Sequence, residues 1–176
     1  MRTLVLDPAT AGLEPILERR KLSGLDRMDE IWEGVLHMVP APSHAHGSIE
    51  SQLMRALGPP ADAAGLELIG QSNLGEGEHN FRVPDCSLHR PGAHGVWHAT
   101  AALVVEVVSP NDESWEKLPF YAEHGVDEAL IVDPHQRSVE WLGLVAGHRY
   151  EPIARSRLIE LGADELADAL DWPAVE

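Results

Sequence analysis

Ala101-Ala102-Leu103-Val104-Val105-Glu106-Val107-Val108 decides the fold. Nearly every residue in it is apolar and the run turns β-branched toward its end, which is the composition of a central strand covered on both faces. Its one charge, Glu106, raises the functional question. A carboxylate in the middle of a buried strand is costly unless a partner compensates it. An arginine in an internal ion pair would serve, and so would a second carboxylate with a cation between the two.

Downstream of this strand, Ser109-Pro110 leads to residues 113 to 124, which read as a helix ended by Gly125. Pro119 fits that helix only within its first turn. A strand at Glu128 to Val132, a turn at Asp133-Pro134 and strands near Val139 to Val145 and Arg149 to Ile153 follow. Upstream, Asp29 to Val39 reads as a hairpin turning at Glu33-Gly34. Ser43 can cap a helix whose apolar stripe runs Ile49, Leu53, Ala56 and Leu57 until Gly58-Pro59-Pro60 ends it. Short strands are expected at Leu66 to Ile69 and His79 to Leu88, with a Gly75-Glu76-Gly77 turn between them. The order of elements predicts a mixed α/β or α+β sheet domain over residues 26 to 160. An N-terminal extension (1 to 25) and an acidic C-terminal tail (161 to 176) read as flexible flanks.

At 176 residues the chain suits one such domain, and 44% hydrophobic residues separate it from disordered chains. It has 13 Lys and Arg against 29 Asp and Glu, a formal net charge of −16. Nucleic-acid binders usually gather cations to displace counterions from phosphates, so this balance disfavours broad contact with DNA. Small basic groupings at Arg19, Arg20, Lys21 and Arg27, and at Arg149, Arg155 and Arg157, are diluted by neighbouring acids. The longest apolar run, Ala101 to Val105, is far short of the roughly 20 residues of a membrane helix. No signal-like stretch opens the chain, and a cytoplasmic protein is expected, with a homodimer allowed. The single cysteine, Cys86, excludes an internal disulfide framework and a cysteine-based zinc cluster, and reads as a small buried hydrophobe.

Asp85 follows Pro84 where a strand opens or is interrupted. Two carboxylates on neighbouring strands repel each other, and a hard divalent cation such as Mg²⁺ or Mn²⁺ relieves that repulsion. A lysine beside such a site can orient water and offset charge developing on a phosphoryl oxygen. Lys117 is the candidate in a chain with eleven Arg and only two Lys. The plain alternative is a solvated helix lysine.

Pro84-Asp85, Val105 to Pro110, Trp115-Glu116-Lys117, Tyr121, Gly125-Val126 and Ile131 to Pro134 together resemble the Uma2 family, described as restriction endonucleases, within the PD-(D/E)XK nuclease superfamily. Glu30 to Gly34 resembles the family's hairpin and Pro42 to His46 its helix start, so the resemblance covers residues 26 to 145. It implies a restriction-endonuclease-like core with a mixed central sheet flanked by helices. It also implies Mg²⁺- or Mn²⁺-dependent hydrolysis of DNA phosphodiester bonds, with Asp85, Glu106 and Lys117 catalytic and Asp85 and Glu106 holding the metal. Glu30 and His46 match accessory positions. One departure concerns the lysine that the superfamily carries two residues after the acid. Val108 stands there, and the family pattern supplies the lysine from the following helix, at Lys117.

A non-catalytic binding protein on the same fold is one alternative. Another is a cupin-like barrel holding a metal through His44, His46 and Glu50, with Pro91 to His94 as its second motif. Histidines at i and i+2 share a face on a strand but diverge by about 200° on a helix, and the stripe through Ile49 favours the helix. Of the five tryptophans, Trp32, Trp115 and Trp141 read as core and His44 as surface.

Overall fold

The computed structural model describes residues 4–6, 12–110 and 113–174. Among these, the chain is a mixed α+β structure of two six-stranded sheets and four α-helices, where the sequence predicted one central sheet. Strand β1 (Leu4–Leu6) is followed by α1 (Glu14–Ser23) and a 3-10 turn (Leu25–Met28) that enters β2 (Glu30–Trp32). Glu33 and Gly34, at φ +46° and +86°, turn β2 into β3 (Val35–Met38), with positive φ at both turn residues as a type I′ hairpin requires.

Helix α2 (His44–Ala63) starts where expected, with the Ser43 hydroxyl accepting from the His46 N–H at 3.2 Å. It does not stop at Gly58-Pro59-Pro60 but runs through both prolines to Ala63. Each proline removes a helical N–H, at a cost of about 3 kcal/mol in an isolated helix. Against that cost, the buried stripe Ile49, Leu53, Leu57 continues to Ala61, and packing carries the helix one turn further.

The strand expected at 79 to 88 is two strands in different sheets. After β4 (Glu67–Ile69) and β5 (Asn73–Gly77), β6 (Asn80–Arg82) pairs in the first sheet, while β7 (Cys86–His89) pairs in the second. Pro84 has no N–H to continue a ladder, and Val83-Pro84-Asp85 carries the chain across. With β8 (Trp97–His98), the first sheet has the order β1-β3-β2-β6-β5-β8, antiparallel except for β5–β8.

Strand β9 (Leu103–Val107) sits inside the second sheet, ordered β12-β11-β10-β9-β7-β4, and all five of its residues are buried. It runs parallel to β10 (Glu128–Asp133), which pairs antiparallel with β11 (Ser138–Val145) and through it with β12 (Arg149–Pro152). Leu103, Val105 and Val107 join the α2 stripe in one hydrophobic cluster, whereas Val104 packs with Leu74, Phe120, Tyr121 and Ile131 in another. Period-two alternation therefore puts Glu106 on the Val104 face, toward α3 (Leu118–Glu123).

Three further expectations are corrected. Helix α3 is shorter than 113 to 124; Pro119 lies in its first turn and Lys117 at its N-cap. Trp115 precedes it in a turn and is exposed, not core, whereas Trp141 is buried and donates to Glu128. The described residues of the flanks carry helices: α1 is tied to the body where Arg20 bonds Asp29 and donates to the Val39 carbonyl, and α4 (Ala163–Ala169) sends Leu166 into the core. The acids around Leu166, Leu170 and Trp172 hide an apolar spacing that a helix brings to one side. Among the described residues, no helix is long and apolar enough to cross a membrane.

Gly75, at φ +149°, faces β6 so closely that a Cβ would meet the Asn80 carbonyl oxygen and lie 2.9 Å from Phe81 Cα. Gly77, at φ +145°, has nothing within 4 Å of that position. Gly75→Ala should therefore cost about 1–3 kcal/mol, a fall in Tm of roughly 2–10 °C, and Gly77→Ala clearly less. Thermal unfolding of the two variants checks this; equal losses would show that the approach of β6 is not the constraint.

Candidate active site

Glu106, 3% exposed at the end of β9, is held by two donors that α3 brings to it. Tyr121 O–H donates to Oε1 at 2.5 Å and Lys117 Nζ to Oε2 at 2.9 Å. They are four residues apart across the first turn of α3, so one helix face presents both. The buried strand carboxylate thus has a lysine partner, not an arginine. Lys117 Nζ also lies 2.9 Å from Glu30 Oε1. Glu30, on β2 of the other sheet, accepts from the Val83 N–H at 2.7 Å through Oε1 and from Trp32 Nε1 at 2.7 Å through Oε2. One ammonium therefore joins carboxylates from both sheets.

Asp85 reaches the same place from the crossing segment. Its N–H donates to the Val105 carbonyl at 3.1 Å, and its Oδ2 accepts from the Val107 N–H at 2.7 Å, which pins it against the end of β9. His46, on the first turn of α2, lies between Asp85 Oδ1 at 3.0 Å and Ser109 Oγ at 3.1 Å. Asp85, Glu106, Lys117, Glu30 and His46 all line one cavity of about 120 Å³, which the apolar Met28, Val39, Pro40 and Pro42 also line.

The charges in this cavity do not balance. Four carboxyl side chains, Glu30, Asp85, Glu106 and Glu113, line it against one lysine and His46, and Glu113 is engaged by His37 Nδ1 at 2.8 Å. Burial pushes Glu106 up to about 8 against the pull of Lys117, with Asp85 and Glu30 reinforcing the rise. Burial would lower Lys117, but Glu106, Glu30 and Asp85 more than reverse that and keep it protonated. For His46, burial is likewise outweighed, by the Asp85 hydrogen bond and charge, and its pKa is raised. Glu50, one turn along α2, is raised by burial and by Asp85. The common cause is unneutralised negative charge in a dry pocket.

That surplus bears on metal binding. No group of three or more His, Cys, Asp or Glu side chains among the described residues forms a metal cage, which disfavours tetrahedral zinc. Asp85 and Glu106 offer four hard oxygens, each already accepting one hydrogen bond with a lone pair left over. Such a pair suits Mg²⁺, which binds through one or two carboxylates and keeps several waters. The cupin-like grouping is not assembled. On α2, His44 is exposed while His46 points into the cavity, so the two share no face. Cys86 is buried and its thiol is pushed up by burial, as a packed hydrophobe's would be.

Three contributors were given no role in the site from sequence. Tyr121 stood among the residues of the family resemblance, and its i+4 spacing from Lys117 is the signal that places it beside Glu106. Ser109 is 63 residues from His46, and nothing local links them. Arg82, 3% exposed, lies between the Trp32 ring at 4.2 Å and the Phe120 ring at 4.1 Å while donating to the Ile31 carbonyl at 3.1 Å. It clamps the Glu30 strand to the helix that follows Lys117, and its buried Nε has no hydrogen-bond partner among the described residues.

The model of the Uma2 family, described as "Putative restriction endonuclease", matches residues 18–168. A crystal structure of a putative nuclease of DUF820 from Anabaena variabilis superposes with a TM-score of 0.64 at 16% identity, covering 80% of this chain and 90% of that one. At that identity the likeness is one of fold. A cryoEM structure of a DrdV–DNA complex matches with a TM-score of 0.44 at 14% identity, over 86% of this chain and 12% of that one, too weakly to bear on the argument. No curated protein matches the chain. Because the family match runs from α1 into α4 and takes in Glu30, His46, Asp85, Glu106 and Lys117, this chain belongs to the Uma2 family.

Proposed function

We propose that the chain is a Mg²⁺- or Mn²⁺-dependent endonuclease that hydrolyses DNA phosphodiester bonds on a restriction-endonuclease-like core of the PD-(D/E)XK type. The observation that supports this best is the convergence of Asp85, Glu106 and Lys117 in one negatively charged cavity. Asp85 and Glu106 would hold the cation, which when bound supplies Lewis acidity at a phosphoryl oxygen and a more acidic water. Lys117 offsets charge developing on the phosphoryl oxygens and orients the attacking water. Glu30 fixes that ammonium from the other sheet, Tyr121 fixes the Glu106 carboxylate, and His46 fixes Asp85. Lys117 thus takes the part of the lysine absent at Val108, reaching Glu106 from the start of α3.

The charge of −16 favours a second reading, a binding protein that does not cleave. Incubation of supercoiled and single-stranded DNA with Mg²⁺ or Mn²⁺ separates the two. Cleavage that Asp85→Asn or Glu106→Gln reduces by about 10²-fold or more supports the nuclease; either variant cleaving at the wild-type rate removes the proposed site. Lys117→Met should lower kcat by about 10²–10³-fold while metal binding, read by calorimetry, persists. Wild-type turnover in that variant would leave Lys117 a structural ion-pair partner.

The raised Glu106 pKa sets the pH dependence. The folded, metal-free protein keeps a proton there up to about pH 8 that the unfolded chain releases near its ordinary value, about 4.3. The unfolded state binds fewer protons in that window, so this contribution to stability falls as pH rises from about 4.3 to 8. Metal must displace the same proton, so its stabilisation should grow over that interval. At a hundred times the dissociation constant it reaches about 2.7 kcal/mol, roughly 5–10 °C in Tm. Melts at fixed ionic strength should show a flatter metal-free profile and little metal shift for Glu106→Gln. Equal metal shifts in both proteins would indicate general screening of the surface charge.

A further inference from the structure

A second cavity, of about 680 Å³, shares part of its lining with the candidate active site. Val83 lines both cavities. Along the segment entering β2, Asp26, Arg27 and Asp29 line the second cavity while Met28 and Glu30 line the first. Val83 and Asp85 are two residues apart, at most about 7 Å of chain, so the groove starts within one nucleotide's reach of the proposed metal ligand.

The groove is polar but poor in charge. Gln71 and Asn73 present side-chain amides that bond no other protein group among the described residues, so each offers a donor and an acceptor. Beside them Phe81 is half-buried, with the Trp97 ring meeting it edge-on at 4.9 Å. The wall behind is a neutral relay, Ser72 to Ser87 at 3.1 Å and Ser87 to His89 at 2.9 Å. Burial and the neighbouring His98 hold His89 down to about 4, so it carries no charge near neutrality. Asp29 is paired with Arg20, and the other titratable lining residues are one acid, Asp26, one guanidinium, Arg27, and the imidazoles of His94 and His98. Such a groove has little to attract a phosphate, but an aromatic face and amide edges are what a nucleobase stacks on and bonds to. The deficit of surface cations points the same way, since a duplex held by its backbone needs rows of them and a base does not.

We propose that this groove receives an unpaired nucleobase of the strand whose phosphate occupies the neighbouring active site, so that the substrate presents a single-stranded or flipped-out nucleotide there. The proposal rests on the nuclease reading for its phosphate and deepens it. The amides of Gln71 and Asn73 read the base edge, and Phe81 supplies the stacking face.

The test compares binding of deoxyadenosine 5′-monophosphate and of deoxyribose 5-phosphate, which lacks the base, by calorimetry. The proteins are the wild type, Gln71→Ala, Asn73→Ala and Lys117→Met, with thermal melts as the folding control. The nucleotide should bind the wild type at least tenfold more tightly than the sugar phosphate. Gln71→Ala and Asn73→Ala should each erode that preference about fivefold or more without lowering Tm, and Lys117→Met should leave it in place. Equal binding of the two compounds, or a preference untouched by both groove substitutions, overturns the proposal. Cleavage of an oligonucleotide carrying an abasic position beside the scissile bond separates this outcome from the nuclease reading. Cleavage at the unmodified rate and KM overturns the base site alone. Base-dependent binding with no cleavage under any metal keeps the site and overturns the nuclease.

Discussion

The bond between Glu106 and Lys117 is the interaction on which the rest of the site depends. A carboxylate on a strand buried on both faces is almost stripped of solvent, so most of its compensation must come from side chains delivered by other elements. Lys117 is delivered by the turn before α3, and because it also bonds Glu30 the compensation extends to the other sheet. Removing the lysine would leave the buried Glu30 and Glu106 without their shared cation, which costs more than the pair contributes when intact. The fold therefore tolerates its acidic centre only in a closed, cooperative arrangement.

That arrangement needs the two sheets to keep their relative positions. The chain joins them at Val83-Pro84-Asp85, where the proline ends one ladder and lets Asp85 lie against β9 with its N–H bonded to Val105. Arg82, one residue before this crossing, stacks between Trp32 of the first sheet and Phe120 of α3. A guanidinium suits the task because it is planar, always charged, and able to donate to the Ile31 carbonyl while stacked on both sides. Four consecutive residues thus couple sheet geometry to site geometry.

Much of this was legible in the chain. The apolar run around Glu106 announced a buried strand whose one charge needs a partner, and Ser43 announced a helix start. What was not legible is long-range. Nothing near position 84 says that the strands on its two sides belong to different sheets, since Pro only forbids one ladder without choosing the next. Helix α2 crosses two prolines because Ala61 fits the core, a fact of packing and not of propensity. Trp115 is out in a turn because α3 begins only at Leu118, and α4 was hidden because three acids interrupt its apolar positions.

The charge of the chain and the charge of its site are linked. A net charge of −16 over the chain weakens the pull on any polyanion, and the site itself carries a surplus of acids in a cavity lined partly by apolar residues. A phosphate entering alone would meet repulsion from Asp85 and Glu30, with Glu106 still protonated below about pH 8. On the proposed nuclease reading, one entering with a divalent cation would meet a site whose surplus is cancelled by the ion it brings. Metal and phosphate should therefore bind with positive coupling, each lowering the electrostatic cost of the other, because the same negative charge that attracts the cation excludes the bare anion.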